Sequence, residues 1–166
     1  MISRDEFLES IRTEVAIVKH LYSKVDKDKL NYKLSPAQRS TSEVLDNLPC
    51  NLYLIANSLM KSDFSNFKVE AEAIAASAKK DFNATMDAEY AKFEALVKGL
   101  SDSDFKNKEM AFPNGTKFKA GVGLLQSTYR FLVSYKMQLF QYLKAGGRQE
   151  LVSSNLWWGR DPQPKA

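Results

Sequence analysis

Residues 119–147 read KAGVGLLQSTYRFLVSYKMQLFQYLKAGG, the longest uninterrupted amphipathic run in the chain. Its apolar positions recur at steps of three and four, the period of a helix with one buried face. Phe131, Tyr135, Gln138 and Tyr142 fall on one line, which we take as the inward face, and Arg130, Ser134, Gln141 and Lys144 fall on the opposite, wet face. The spacing predicts the last helix of an all-α, four-helix bundle over 119–146. Gln138 is the polar exception on that line. A buried amide must find hydrogen-bond partners or cost on the order of 1–3 kcal/mol, so Gln138 either bonds tyrosine and backbone groups or holds a ligand.

The other helices follow by working outward. Ser3 and Glu6 have the S-x-x-E spacing of a capping box, and Phe7, Ile11, Val15, Val18, Tyr22 and Val25 then form one stripe, which predicts a helix over 3–25. His20, the only histidine, lies about 170° from the centre of that stripe at ~100° per residue and is expected to face water. From Asp26 to Arg39 the period stops, leaving a connector packed by Leu30, Tyr32 and Leu34. A second capping box, Ser40 with Glu43, opens a helix over 40–61 with Leu45, Leu48, Leu52, Ile55 and Leu59 on one face. Pro49 removes a backbone hydrogen bond and crowds the Leu45 carbonyl, which predicts a kink flanked by Asn47 and Asn51. Those amides either satisfy the disturbed backbone or enter a pocket.

An alanine-rich stretch predicts one helix over 69–99, closed by Gly99. The segment before the last helix contains Ser101-Asp102-Ser103-Asp104 and then Pro113-Asn114-Gly115, the residues of turns, so a long ordered connector with a short hairpin should cross one end of the bundle. The tail, 148–166, carries Trp157 and Trp158. Two adjacent tryptophans are expected to dock on the bundle, close a cavity mouth or enter an oligomer interface.

The chain has 166 residues, 44% hydrophobic and 27% charged, which fits one globular domain over 1–166. No window resembles a membrane span, and the mixed-charge N-terminus is unlike a secretory or transit sequence, so a cytoplasmic protein without membrane contact is expected. The net charge of +4 is spread among acidic residues rather than clustered, which argues against nucleic acid as a partner. Cys50 is the only cysteine, so no intrachain disulfide or cysteine metal cluster can form.

Leu30-Asn31-Tyr32-Lys33-Leu34-Ser35-Pro36-Ala37-Gln38-Arg39-Ser40 with Glu43-Val44-Leu45, and Tyr135-Lys136-Met137-Gln138-Leu139-Phe140-Gln141-Tyr142-Leu143-Lys144 with Gly146, resemble the two motifs of the DinB-like superfamily of four-helix bundles. The resemblance implies a divalent metal held by three histidines that activates a small thiol for transfer or isomerisation. Carried across position by position, those ligands fall on Asn47, Phe131 and Tyr135. Phenylalanine cannot coordinate, and asparagine and neutral tyrosine are poor substitutes for imidazole, so no metal and no other cofactor is expected here.

Three readings follow. One is a metal-free module that binds a small organic ligand in a pocket drawn from Asn47, Asn51, Phe131, Tyr135, Gln138, Trp157 and Trp158. Another is a homodimeric interaction module in which Phe131 and Tyr135 fill the vacated site. The third is a metal-independent thiol transferase acting through Tyr135 or Cys50.

Overall fold

The computed structural model describes residues 2–163; Met1 and the end of the tail, 164–166, lie outside the described residues. Both expected capping boxes form. Ser3 Oγ accepts the Glu6 N–H at 3.2 Å while the Glu6 carboxylate accepts the Ser3 N–H at 2.7 Å, opening α1 (Arg4–Tyr22). Ser40 and Glu43 repeat the arrangement at the start of α2 (Thr41–Cys50). Each reciprocal pair satisfies backbone donors that have no partner inside the helix.

The proline defect breaks the second helix outright. After Pro49 the chain leaves helical geometry at Leu52, with φ −96° and ψ −105°, and resumes as α3 (Tyr53–Lys61). The Asn47 carbonyl receives the Asn51 side-chain amide at 2.8 Å, and the Asn47 amide donates to the Glu43 carbonyl at 2.6 Å. Each asparagine thus bonds back to the carbonyl four residues before it.

The single helix expected over 69–99 is two helices. Asp81, with φ −151° and ψ 98°, separates α4 (Phe67–Lys80) from α5 (Phe82–Lys98), and its carboxylate accepts the Ala84 N–H at 3.0 Å. Alanine favours helix on both sides of the break, so its periodicity hides the corner. α4 returns along α2, where Lys79 reaches Asp46 at 3.2 Å. α5 then runs along α3 and antiparallel to α1, bringing Lys19 to Asp87 at 2.6 Å and the Phe93 ring to Phe7 at 6.3 Å. The third bundle helix is thus α5, and α4 is an outer layer in which only Ala78 is fully buried.

Ser101 caps α6 (Asp102–Asn107), and β1 (Glu109–Ala111) pairs antiparallel with β2 (Lys117–Lys119), placing Met110 opposite Phe118. This is the expected hairpin, and Gly115 at its tip takes φ +82°. α7 (Ala120–Leu124) packs tightly under it: a Cβ on Gly121 would sit 2.8 Å from the Phe105 ring, and one on Gly123 would overlap the Met110 side chain. Residues 125–129 form a π-helical turn that runs directly into α8 (Arg130–Ala145). The last element is α9 (Ser153–Trp158).

The architecture is an all-α, four-helix bundle of α1, α2–α3, α5 and α8. One buried cluster joins Ile11 and Val18 of α1, Val44 and Leu48 of α2, Phe93 and Val97 of α5, and Leu132 and Leu139 of α8.

Candidate functional site

The buried side of α8 is not the aromatic line. Leu132, Lys136, Leu139, Phe140, Tyr142 and Leu143 are buried, whereas Phe131, Tyr135 and Gln138 are only partly so. Leu132, Lys136, Leu139 and Leu143 form the inward stripe, one residue and hence ~100° out of phase with the expected line. A lysine in the middle disguised that stripe in the sequence. Its ammonium is neutralised by Glu14 of α1, with Nζ 2.5 Å from the carboxylate and the two side chains 2% and 13% exposed. A buried lysine needs such a partner.

Tyr142 is the one member of the aromatic line that is fully buried, and it ties α8 to the connector. Its hydroxyl donates to the Arg39 carbonyl at 2.8 Å and receives the Gln138 amide at 3.0 Å. The ring meets Tyr32 edge-on at 6.1 Å, and the Arg39 guanidinium lies 5.7 Å from the centre of the Tyr135 ring. Gln138 thus has a tyrosine hydroxyl as a partner for its amide.

Asn47 and Asn51 line a groove on the other flank of α2, facing Phe67, Ala71 and Ala75 of α4, together with Cys50. Among the described residues no hydrogen bond joins them to Tyr135 or Gln138. Cys50 is buried, and its thiol donates to the Asp46 carbonyl at 3.3 Å. Burial, and then the negative charges of Glu89 and Asp46, push that thiol up to about 12, so the thiolate is not formed near neutral pH.

α9 docks, but not through its tryptophans. Leu151, Asn155 and Leu156 are buried, while Trp157 is 52% and Trp158 70% exposed. The Trp157 ring lies 5.5 Å from Lys136 Nζ, over the buried ion pair. Asn155 reaches α1, with its amide nitrogen 3.1 Å from Nε2 of His20. The expectation that His20 faces water is therefore corrected: its side chain is 15% exposed beneath the C-terminal segment. The helical wheel placed it away from the bundle core correctly, but the tail covers that side.

A pocket lies at a corner of the bundle, where α1 ends and α4 turns into α5. Tyr22, Leu30, Leu45, Ala78 and Phe82 wall a pocket of about 240 Å³, with Ser42, Asp46 and Lys79 at its polar edge. The Tyr22 and Phe82 rings stack at 4.3 Å to form one wall. The corner at Asp81 creates this space by carrying Ala78 and Phe82 to the end of α1.

This four-helix architecture has a counterpart among solved structures. The particular likeness is to a DinB-like protein, YjoA, of Bacillus subtilis: the crystal structure matches with a TM-score of 0.68 over 89% of this chain and 95% of that one, at 21% sequence identity. The chain has the DinB-like fold. No family model matches the sequence, and no curated protein matches it significantly.

The three positions that the family resemblance assigns to metal ligands carry side chains of low affinity for a divalent cation. Phe131 has no donor atom, Asn47 offers only a neutral amide oxygen, its nitrogen donating to the Glu43 carbonyl, and the Tyr135 ring faces the Arg39 guanidinium, which would repel a cation.

Proposed function

We propose that this DinB-like bundle is a metal-independent module that binds a small, largely apolar organic molecule. The observation that carries this reading is the corner pocket, whose apolar walls and single polar edge are the features of a ligand site. At about 240 Å³ it lies below the ~300–1,000 Å³ of drug-sized sites, so its occupant is a compact molecule, oriented by Ser42, Asp46 and Lys79. No helix among the described residues is long and apolar enough to cross a membrane, and a cytoplasmic setting belongs to the same proposal.

The test is a titration with compact aromatic and alicyclic compounds, followed by amide NMR. Shifts at Leu45, Ala78 and Phe82 that vanish in a folded Ala78→Phe variant would support the site. Binding unchanged in that variant, or no shifts at the pocket with any compound, would reject it.

A second reading, a homodimeric interaction module, draws on the exposure of Trp158. Light scattering showing a dimer that Trp158→Ser dissociates would favour it. The metal-independent thiol transferase has less support, because the Cys50 thiol is buried and held protonated.

A further inference from the structure

The C-terminal segment is held on the bundle by polar contacts that require one protonation state of the only histidine. The Asn155 side-chain oxygen, Oδ1, accepts the Val152 N–H at 2.9 Å, which fixes the orientation of the amide group. Its NH₂ group then faces outward, donating to the Asp161 carboxylate at 2.9 Å and directed at His20 Nε2 at 3.1 Å. Two donors cannot share that contact, so Nε2 must be the acceptor and His20 must be neutral.

The charged groups around the imidazole come from three segments. Lys24, in the turn just past the end of α1, pairs with Asp161 of the tail at 2.7 Å, and Asp161 lies 3.7 Å from His20 Nε2. Arg148, paired with Glu150, donates to the Lys24 carbonyl at 2.9 Å, while Lys19 is occupied by Asp87 of α5. Desolvation and the Lys24 charge outweigh the attraction of Asp161 and hold the imidazole below its ordinary value.

We propose that His20 is the pH-sensitive latch of a C-terminal clasp: protonation of its imidazole turns the Asn155 contact repulsive, undocks α9 and uncovers the Lys136–Glu14 pair beneath Trp157. The apolar surface around Leu156 and Ile17 opens with it, since the backbone at Gly159 rests against Ile17, closely enough that a Cβ there would lie 3.1 Å from the Ile17 Cα.

Trp157 and Trp158 are the only tryptophans, so fluorescence reports on this segment alone. In a Trp158→Phe background, acrylamide quenching of Trp157 is expected to rise about twofold between about pH 7.5 and pH 5, while far-ultraviolet circular dichroism shows the bundle intact. His20→Gln keeps a neutral acceptor for Asn155 and should abolish the rise. Asn155→Ala should give high quenching at both pH values. The proposal is overturned if quenching does not change with pH, if the rise persists in His20→Gln, or if Trp157 becomes better protected at acid pH, which would give Asp161 the controlling role.

Discussion

Lys136 of α8 and Glu14 of α1 form an ion pair at 2.5 Å inside the bundle, where most positions are hydrocarbon. Removing one member strands the other without water. Glu14→Leu or Lys136→Met alone is expected to destabilise the protein by about 3–5 kcal/mol, whereas the double variant Glu14→Leu with Lys136→Met should come close to the parent. Chemical denaturation of all four proteins would measure the coupling.

Cys50 should be nearly inert to alkylation in the native protein. Its thiol is pushed up to about 12 by burial and nearby carboxylates, so the thiolate is scarce and covered. Iodoacetamide labelling followed by mass spectrometry should be slow at neutral pH and rapid in denaturant. Rapid native labelling would restore Cys50 as a candidate nucleophile.

Tyr142→Phe should loosen the connector without unfolding the bundle. The variant loses the hydroxyl that bonds the Arg39 carbonyl and the Gln138 amide, at a cost of about 1 kcal/mol. Limited proteolysis at Lys33 should accelerate, while cleavage within α5 should not change.

The capping carboxylates should set part of the acid limb of stability. Backbone and side-chain hydrogen bonds from Ser3 and Ser40 hold Glu6 and Glu43 below their ordinary value of 4.5. A depressed carboxylate stabilises the fold fully above its unfolded pKa and loses that contribution as pH falls through the lower, folded value. Glu43→Gln should therefore lower stability at neutral pH and flatten its decline below about pH 4.5, seen as a shallower dependence of the thermal midpoint.

His20 has the corresponding sign for a base. Its folded pKa is lowered, so the neutral form stabilises the fold fully above the unfolded value of 6.5, and the contribution is lost as pH falls through the folded pKa. Thermal midpoints measured from pH 7.5 down to about pH 5 should fall more steeply in the parent than in His20→Gln. Parallel curves would remove His20 as the titrating group.

Features set by neighbouring residues were legible in the sequence. The boxes at Ser3 and Ser40, the break after Pro49 and the reversal at Pro113-Asn114-Gly115 all close hydrogen bonds within a few residues, so residue type and spacing were enough. The corner at Asp81 was not, because alanine-rich sequence supports helix on either side and hides the one local signal, the Asp81 cap on Ala84, while the packing of α4 on α2 and α5 on α3 holds the turn. The corner pocket depends on that turn and was missed with it.

For the bundle as a whole, the sequence by itself determined that α8 forms, that it is amphipathic and that its neighbours carry matching apolar stripes. Only the tertiary structure decided which side of α8 points inward and what lies over His20. Helical periodicity comes from local backbone geometry and survives in one dimension. Burying Lys136 depends on a carboxylate supplied by α1, and covering His20 depends on a tail more than a hundred residues away, whose Asn155 is 135 positions further along the chain.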